Sequence, residues 1–273
     1  MDVKIPFTFI SGHLIVIRIT LNDEEHKFIL DTGIGVTVIS RRVAEHFKLN
    51  PDSSFSGKRM SGQEVSIQLA SMKSVGVGPI KKSDVTVGIF DMSSFPPELG
   101  EISGILSPGF LEEVVFTVNY QTNEILLRDD SFIIEDSGTT ISHIDLKKEG
   151  PSLSIYIDAI IPSERLVKLE VDSGSRILIL NSAFMEELNI GKEEPDTKIF
   201  RGTDESGYNF TRYLSTLDGK ISISKAEEIF QVKPKVMFQD IVYDGLLGTE
   251  FLKNYNVTYD LLHKKMGFSA FKP

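Results

Sequence analysis

Residues 28–33 read FILDTG, an apolar run that ends in the tripeptide Asp31-Thr32-Gly33. The pattern returns at residues 169–174 as LEVDSG, so that Asp172 follows Asp31 at a distance of 141 residues. One Asp-Ser/Thr-Gly tripeptide is weak support for any site, because ordinary composition produces it in roughly one chain in ten of this size. Two copies that each close a strand-like run instead predict a repeated structural unit.

The same offset connects other parts of the chain. Gly-Ile-Leu at residues 104–106 returns as Gly-Leu-Leu at residues 245–247, again 141 positions later. A constant offset over this much sequence indicates two copies of one unit with few insertions between the matched points. We therefore expect an N-terminal lobe at residues 1–128, a connector at 129–141 and a C-terminal lobe at 142–273.

Strand patterning dominates the sequence, whereas helical patterning is scarce. The helix candidates are residues 41–49 after Ser40 and residues 182–190 after Asn181, because both start behind a capping side chain. Short β-branched and apolar runs bounded by Gly, Asn, Asp or Pro are typical of strands. Such runs occupy residues 14–21, 27–30, 65–69, 85–90, 114–118 and 125–127. We expect an all-β fold of two homologous β-barrel lobes with few short helices.

A third tripeptide, Asp136-Ser137-Gly138, lies in the connector. Polar Glu135 precedes it, and the Gly-apolar-Leu segment that follows the other two copies is missing at the matching distance. We interpret it as a turn in which the Asp side chain bonds to the backbone. The connector is expected to lie at the surface with one short strand at residues 132–134.

Composition excludes several classes of function. The chain of 273 residues has 29 Lys and Arg against 39 Asp and Glu, a net charge of −10, which argues against a nucleic-acid partner. It has no cysteine, so disulfides, thiolate nucleophiles and cysteine metal sites are excluded. No apolar run approaches the roughly 20 residues of a transmembrane helix. The 41% of hydrophobic residues is enough for a globular core.

The two Asp-containing segments, with the Gly-apolar-Leu segment that trails each, resemble the retropepsin-like and pepsin-like aspartic proteases (clan AA). The resemblance is to the bacterial single-chain form with two fused retropepsin-like lobes, and it covers nearly the whole chain. It implies the acid protease fold, in which two β-barrel lobes face each other across a central cleft. It also implies that Asp31 and Asp172 are the catalytic pair.

The resemblance assigns supporting roles to the residues that follow each aspartate. The hydroxyl groups of Thr32 and Ser173 are expected to brace the two loops, and Gly33 and Gly174 to let the backbones approach closely. The next position carries Ser175 in the second copy but Ile34 in the first. Because a hydroxyl bonded to a carboxyl favours its charged form, this asymmetry predicts that Asp172 is the ionised member of the pair.

Two facing aspartates can perform hydrolysis without a cofactor. At about 3 Å and an effective dielectric constant near 20, two full charges repel by roughly 5 kcal/mol, so the pair shares one proton. This splitting is an inherited property of the family and not a discovery in this sequence. The ionised member can take a proton from water while the protonated member donates to the developing oxyanion. No metal or cofactor is required, and the sequence contains no His-Glu-x-x-His motif.

The resemblance further implies a flap hairpin roughly 25 to 35 residues beyond each aspartate. The flap candidates are glycines and a serine at the ends of two polar segments: Gly57, Ser61, Gly62, Gly202 and Gly207. An ordinary β-turn explains either segment equally well.

The leading hypothesis is an aspartic endopeptidase that hydrolyses an extended peptide or protein substrate bound between the lobes. A monomer is expected, because one chain carries both halves of the site. A non-catalytic peptide-binding module on the same scaffold is the alternative, and a self-processing factor with one dedicated partner is a third. Bacterial relatives are often exported, and the abrupt start at Ile5 suits a trimmed chain. The cell envelope or periplasm is therefore expected, with a cytoplasmic location left open.

Overall fold

The computed structural model describes residues 3–93, 95–128, 138–203 and 209–271, and these ranges form an all-β structure with few short helices, as predicted. Within these ranges the N-terminal half contains eleven strands: β1 (Val3–Pro6), β2 (Thr8–Ile10), β3 (Leu14–Leu21), β4 (Glu24–Leu30), β5 (Val38–Ser40), β6 (Ser53–Lys58), β7 (Glu64–Val77), β8 (Ile80–Phe90), β9 (Ile102–Leu106), β10 (Val115–Asn119) and β11 (Glu124–Arg128).

The C-terminal half contains twelve strands within the described ranges. They are β12 (Thr139–Glu149), β13 (Ser152–Ile160), β14 (Leu166–Val171), β15 (Leu178–Asn181), β16 (Lys198–Thr203), β17 (Asn209–Thr216), β18 (Lys220–Ile223), β19 (Ala226–Val232), β20 (Lys235–Gln239), β21 (Gly245–Leu247), β22 (Asn256–Asp260) and β23 (Lys265–Ser269).

The two halves have the same strand order. In the N-terminal half the order is β2-β3-β4-β9-β5-β8-β7-β6, and an additional pairing between β3 and β7 closes six of these strands into a barrel. In the C-terminal half the order is β12-β13-β14-β21-β15-β20-β17-β16. There β18 pairs with β13, which takes the place of the β3–β7 contact. The expected acid protease fold is therefore confirmed.

A six-stranded antiparallel sheet joins the halves in the order β1-β11-β10-β22-β23-β12. At its centre Thr117 pairs with Thr258, 141 residues further on, and their hydroxyl groups lie 2.8 Å apart. Beside them the rings of Phe116 and Tyr259 stack with centroids 4.7 Å apart. The two halves thus share buried aromatic packing, which fixes their relative position.

The predicted connector is only partly described. Residues 139–141 already belong to β12, where they pair with β23. The strand expected at residues 132–134, and Asp136 and Ser137 of the third tripeptide, lie outside the described residues.

The two helix candidates fold differently. The first is α1 (Arg41–His46), and the hydroxyl of Ser40 accepts from the backbone N–H of Val43 as predicted. The second candidate is wrong, because only a 3-10 helix forms at Ser182–Phe184. Oδ1 of its cap, Asn181, accepts from the N–H of Ala183. Nδ2 of the same side chain donates to the carbonyl of Ile241 in a neighbouring loop.

The remaining helical segments are α2 (Thr249–Leu252) and 3-10 helices at Pro97–Leu99 and Pro108–Leu111. Over the described ranges, no helix combines the length and apolar character that a membrane crossing requires.

Candidate active site

The loops that carry Asp31 and Asp172 begin where equivalent strands end. Strand β4 runs parallel to β9, and the N–H of Asp31 donates to the carbonyl of Leu106 at 3.1 Å. Strand β14 runs parallel to β21, and the N–H of Asp172 donates to the carbonyl of Leu247 at 3.0 Å. The Gly-apolar-Leu segments found in the sequence are therefore the strands that hold the backbone of each aspartate.

Two buried hydroxyl groups connect the loops to each other. The Thr32 hydroxyl donates to the carbonyl of Val171 at 2.7 Å and accepts from the N–H of Ser173 at 2.9 Å. The Ser173 hydroxyl donates to the carbonyl of Leu30 at 3.1 Å and accepts from the N–H of Thr32 at 3.0 Å. Each hydroxyl thus bonds twice to the opposite half, which holds the two aspartates at a defined separation.

The glycines of the two tripeptides face the opposite aspartates. A Cβ atom at Gly33 would lie 2.5 Å from Oδ1 of Asp172, and one at Gly174 would lie 2.5 Å from Cγ of Asp31. Real Cβ atoms do not come this close to other heavy atoms. The carboxyl groups can meet only because both positions lack a side chain.

Backbone N–H groups bind both carboxyl groups. Oδ1 of Asp31 accepts from the N–H of Gly33 at 2.8 Å. Oδ1 of Asp172 accepts from the N–H of Gly174 at 2.8 Å and from that of Ser175 at 2.9 Å. Burial raises the pKa of Asp31, partly offset by hydrogen bonds that include one with Asp172. Burial and the negative charges of Asp31 and Glu170 raise the pKa of Asp172 well above its ordinary range.

The hydroxyl on which the expected charge order within the pair depends bonds elsewhere. The Ser175 hydroxyl donates to the carbonyl of Ile177 at 3.1 Å, so it does not donate to the carboxyl of Asp172. Burial and two like charges raise the pKa of Asp172, whereas burial raises the pKa of Asp31 against several hydrogen bonds that lower it. These directions favour Asp172 over Asp31 as the carrier of the shared proton, and the two carboxyl groups titrate as one pair.

Asp172 lines a cleft of about 1260 Å³ that both halves form, and Gly33, which follows Asp31 by two positions, lines it as well. Among the flap candidates, Gly57 and Ser61 line this cleft on the β6–β7 hairpin. Gly62 lies in the turn of the same hairpin with φ +82°. Beside it, the N–H of Val242 donates to the carbonyl of Met60 at 2.9 Å, so the tip of this hairpin rests on the other half.

The second flap segment is described only in part. Gly202 lies in β16 against the ring of Phe210, and Gly207 lies outside the described residues. The β16–β17 hairpin nevertheless contributes to the cleft through Phe210 and Arg212. Within the described ranges, no group of three or more His, Cys, Asp or Glu side chains is arranged to hold a metal ion.

Sequence reasoning missed a polar cluster beside the pair. Glu170, Tyr156, Tyr243 and Ser154 all line the cleft. Glu170 stands out in the sequence as a charged residue in an apolar strand, at the position that Ile29 takes in the first copy. The contacts of this glutamate, however, come from β13 and from the loop before β21, which no local pattern joins to it.

Comparison with known proteins agrees with this geometry. Residues 17–108 match the family model described as aspartyl protease. The matched range includes Asp31 and the segment at residues 104–106. A search of the curated proteins finds no match.

Proposed function

We propose, from the premise that residues 17–108 form a retropepsin-like aspartyl protease unit, that this chain is an aspartic endopeptidase whose catalytic pair is Asp31 and Asp172. The observation that carries this proposal is the reciprocal bonding of the Thr32 and Ser173 hydroxyls across the two halves. That network holds two acidic loops face to face, an arrangement that a non-catalytic peptide-binding module does not need.

The proposed reaction uses one water molecule and one shared proton. Asp31, as the ionised member, takes a proton from the water while the water oxygen attacks the carbonyl carbon of the substrate. Asp172, as the protonated member, donates its proton to the carbonyl oxygen and stabilises the tetrahedral intermediate. Collapse of the intermediate returns the hydroxyl proton to Asp172, and the proton held by Asp31 passes to the leaving nitrogen. The peptide bond breaks and the pair regains its starting charge.

The proposed organisation follows the repeat. Residues 1–128 and 142–273 act as two homologous lobes, joined at 129–141, and each supplies one aspartate. A monomer then contains a complete site. The shared strand order and the central contact of Thr117 with Thr258 support a duplication of one unit.

The proposed substrate is an extended segment of peptide or protein. The cleft is open to both halves, and the β6–β7 hairpin crosses it, so a bound segment can hydrogen-bond to strand edges while Gly57, Ser61 and Gly62 cover it. These three residues are proposed flap residues, whereas Gly202 and Gly207 remain candidates for a second flap.

Cleavage of an unstructured peptide library, followed by mass spectrometry from acidic to neutral pH, tests the proposed function. We expect new termini at defined positions, and we expect a statine-type analogue, whose hydroxyl replaces the attacking water, to block their formation. The non-catalytic alternative predicts that peptides bind and are recovered intact. Intact recovery at every pH would therefore favour a binding module over the endopeptidase.

A further inference from the structure

The cleft contains a third buried carboxyl group, that of Glu170. This residue is 7% exposed and precedes Asp172 by two positions at the end of β14. The side chains of Glu170 and Asp172 both line the cleft. The charge of Glu170 reaches both aspartates, which places its carboxyl group beside the site of bond cleavage.

Two aromatic side chains and a serine surround this carboxyl group. Ser154 and Tyr243 direct their hydroxyl groups at it. Tyr156 lies opposite Glu170 in the β13–β14 register, and its ring meets that of Tyr243 edge-on at 6.4 Å. Burial and the charge of Glu170 raise the pKa of Tyr156 to about 12, so this phenol stays neutral at physiological pH.

The equivalent place in the other half is apolar. Ile29 is the counterpart of Glu170, and Ile102 that of Tyr243, both at the offset of 141 residues. Val16 lies opposite Ile29 as Tyr156 lies opposite Glu170. Val16, Ile29 and Ile102 form a separate buried apolar cluster, and none of them lines the cleft. One half thus fills this position with hydrocarbon, and the other exposes a carboxyl group and two phenols to the substrate.

The carboxyl group of Glu170 forms no salt bridge among the described residues. Lys147 is the cation whose charge bears on it, but Lys147 pairs with Glu149 at 3.0 Å. A buried carboxyl group without an opposite charge is costly to ionise, and burial accordingly raises the pKa of Glu170. A carboxylate beside aromatic faces is the combination that binds ammonium and guanidinium groups.

We propose that Glu170, with Tyr156 and Tyr243, forms a subsite that selects a Lys or Arg side chain next to the scissile bond. This inference rests on the proposed function, because it assigns a specificity to the same cleft. The incoming cation pairs with the carboxylate, while its aliphatic stem lies against the two rings. Glu170 is then a specificity-determining residue that takes no part in bond cleavage.

The test compares two peptides that differ by an Arg or a citrulline, its neutral isostere, on either side of the cleaved bond. In the wild type we expect kcat/KM to favour Arg by about 10- to 100-fold, since a buried hydrogen bond to a charged group contributes at this level. Glu170→Gln should bring the ratio close to one, because the shape of the subsite is kept and its charge is lost. Ratios are compared within one variant and one pH, so a change in the aspartate pair cancels.

Glu64→Gln is the matched control, because Glu64 is another cleft carboxylate but is exposed and belongs to the N-terminal half. It should keep the preference for Arg. A ratio near one in a wild type that cleaves peptides, or an Arg preference that survives in Glu170→Gln, would overturn the subsite. Absence of all cleavage would instead count against the proposed function. In that case, calorimetry measures the binding of non-cleavable reduced-amide versions of both peptides. The ratio of their affinities, Arg over citrulline, then shows whether the subsite exists.

Discussion

Replacement of Asp31 or of Asp172 by Asn is expected to lower kcat for peptide cleavage by about 10⁴-fold, because each variant loses one partner of the proton transfer. An amide in place of Asp31 cannot take a proton from water, and an amide in place of Asp172 cannot hand a proton to the carbonyl oxygen. Since neither half supplies a second acid at the same position, the two variants should be equally impaired. Single-turnover cleavage of a library-derived peptide measures the loss.

Asp136→Asn is the matched control for this prediction. It alters the third Asp-Ser-Gly tripeptide, which we interpret as a turn, and it should leave kcat unchanged. Retention of wild-type turnover by either Asp31→Asn or Asp172→Asn would refute the catalytic assignment.

Loss of folding is not expected to explain this loss of activity. The pKa of Asp172 is raised in the folded state, so the unfolded chain loses this proton at a lower pH than the folded protein does. The fold therefore loses stability as the pH rises above the pKa that Asp172 has in the unfolded chain. Asp172→Asn removes this cost at neutral pH. Its melting temperature should therefore equal or exceed that of the wild type at neutral pH, and the difference should shrink at acidic pH, where Asp172 is protonated in both states.

The second large effect is expected from Gly174→Ala. The added methyl group would lie 2.5 Å from Cγ of Asp31, so this carboxyl group must move away from its partner. A misplacement of about 1 Å costs on the order of 100-fold in rate. We expect kcat to fall by about this factor with a smaller change in KM, because the cleft that binds the peptide is left intact. Gly33→Ala should act in the same way on Asp172.

Gly109→Ala is a suitable control, since a Cβ atom there has its nearest neighbour at an ordinary 3.5 Å. Steady-state kinetics of the three variants, with melting temperatures, separate a local effect from general destabilisation. Wild-type kcat in Gly174→Ala would show that the two carboxyl groups do not need to meet.

Much of the architecture follows from one feature of the sequence, the offset of 141 residues. The two tripeptides and the two Gly-apolar-Leu segments are local patterns, and their spacing predicted equivalent strands that the structure contains as β4 with β9 and β14 with β21. The bracing roles of Thr32 and Ser173 came from the family resemblance. The structure gives their partners, which are backbone groups of the opposite half.

The features that the sequence did not reveal depend on contacts between distant segments. The Ser175 hydroxyl donates to the carbonyl of Ile177, and this choice of acceptor depends on how the chain turns after the tripeptide. Asn181 caps only a 3-10 helix, and its amide nitrogen also donates to carbonyl groups of the loop at residues 241–243, a contact that no local pattern reveals. Glu170 acquires its surroundings from Ser154 and Tyr243, which lie 16 and 73 positions away in the sequence.

The central claim is that Asp31 and Asp172 titrate as one coupled pair. Carboxyl ¹³C NMR of labelled aspartate, followed over pH in the wild type and in Asp31→Asn, measures this most directly. Two well-separated steps are expected in the wild type, and the pKa of Asp172 should fall towards its ordinary value once the charge of Asp31 is removed. An Asp172 carboxyl that titrates at the same pH in both proteins would contradict it.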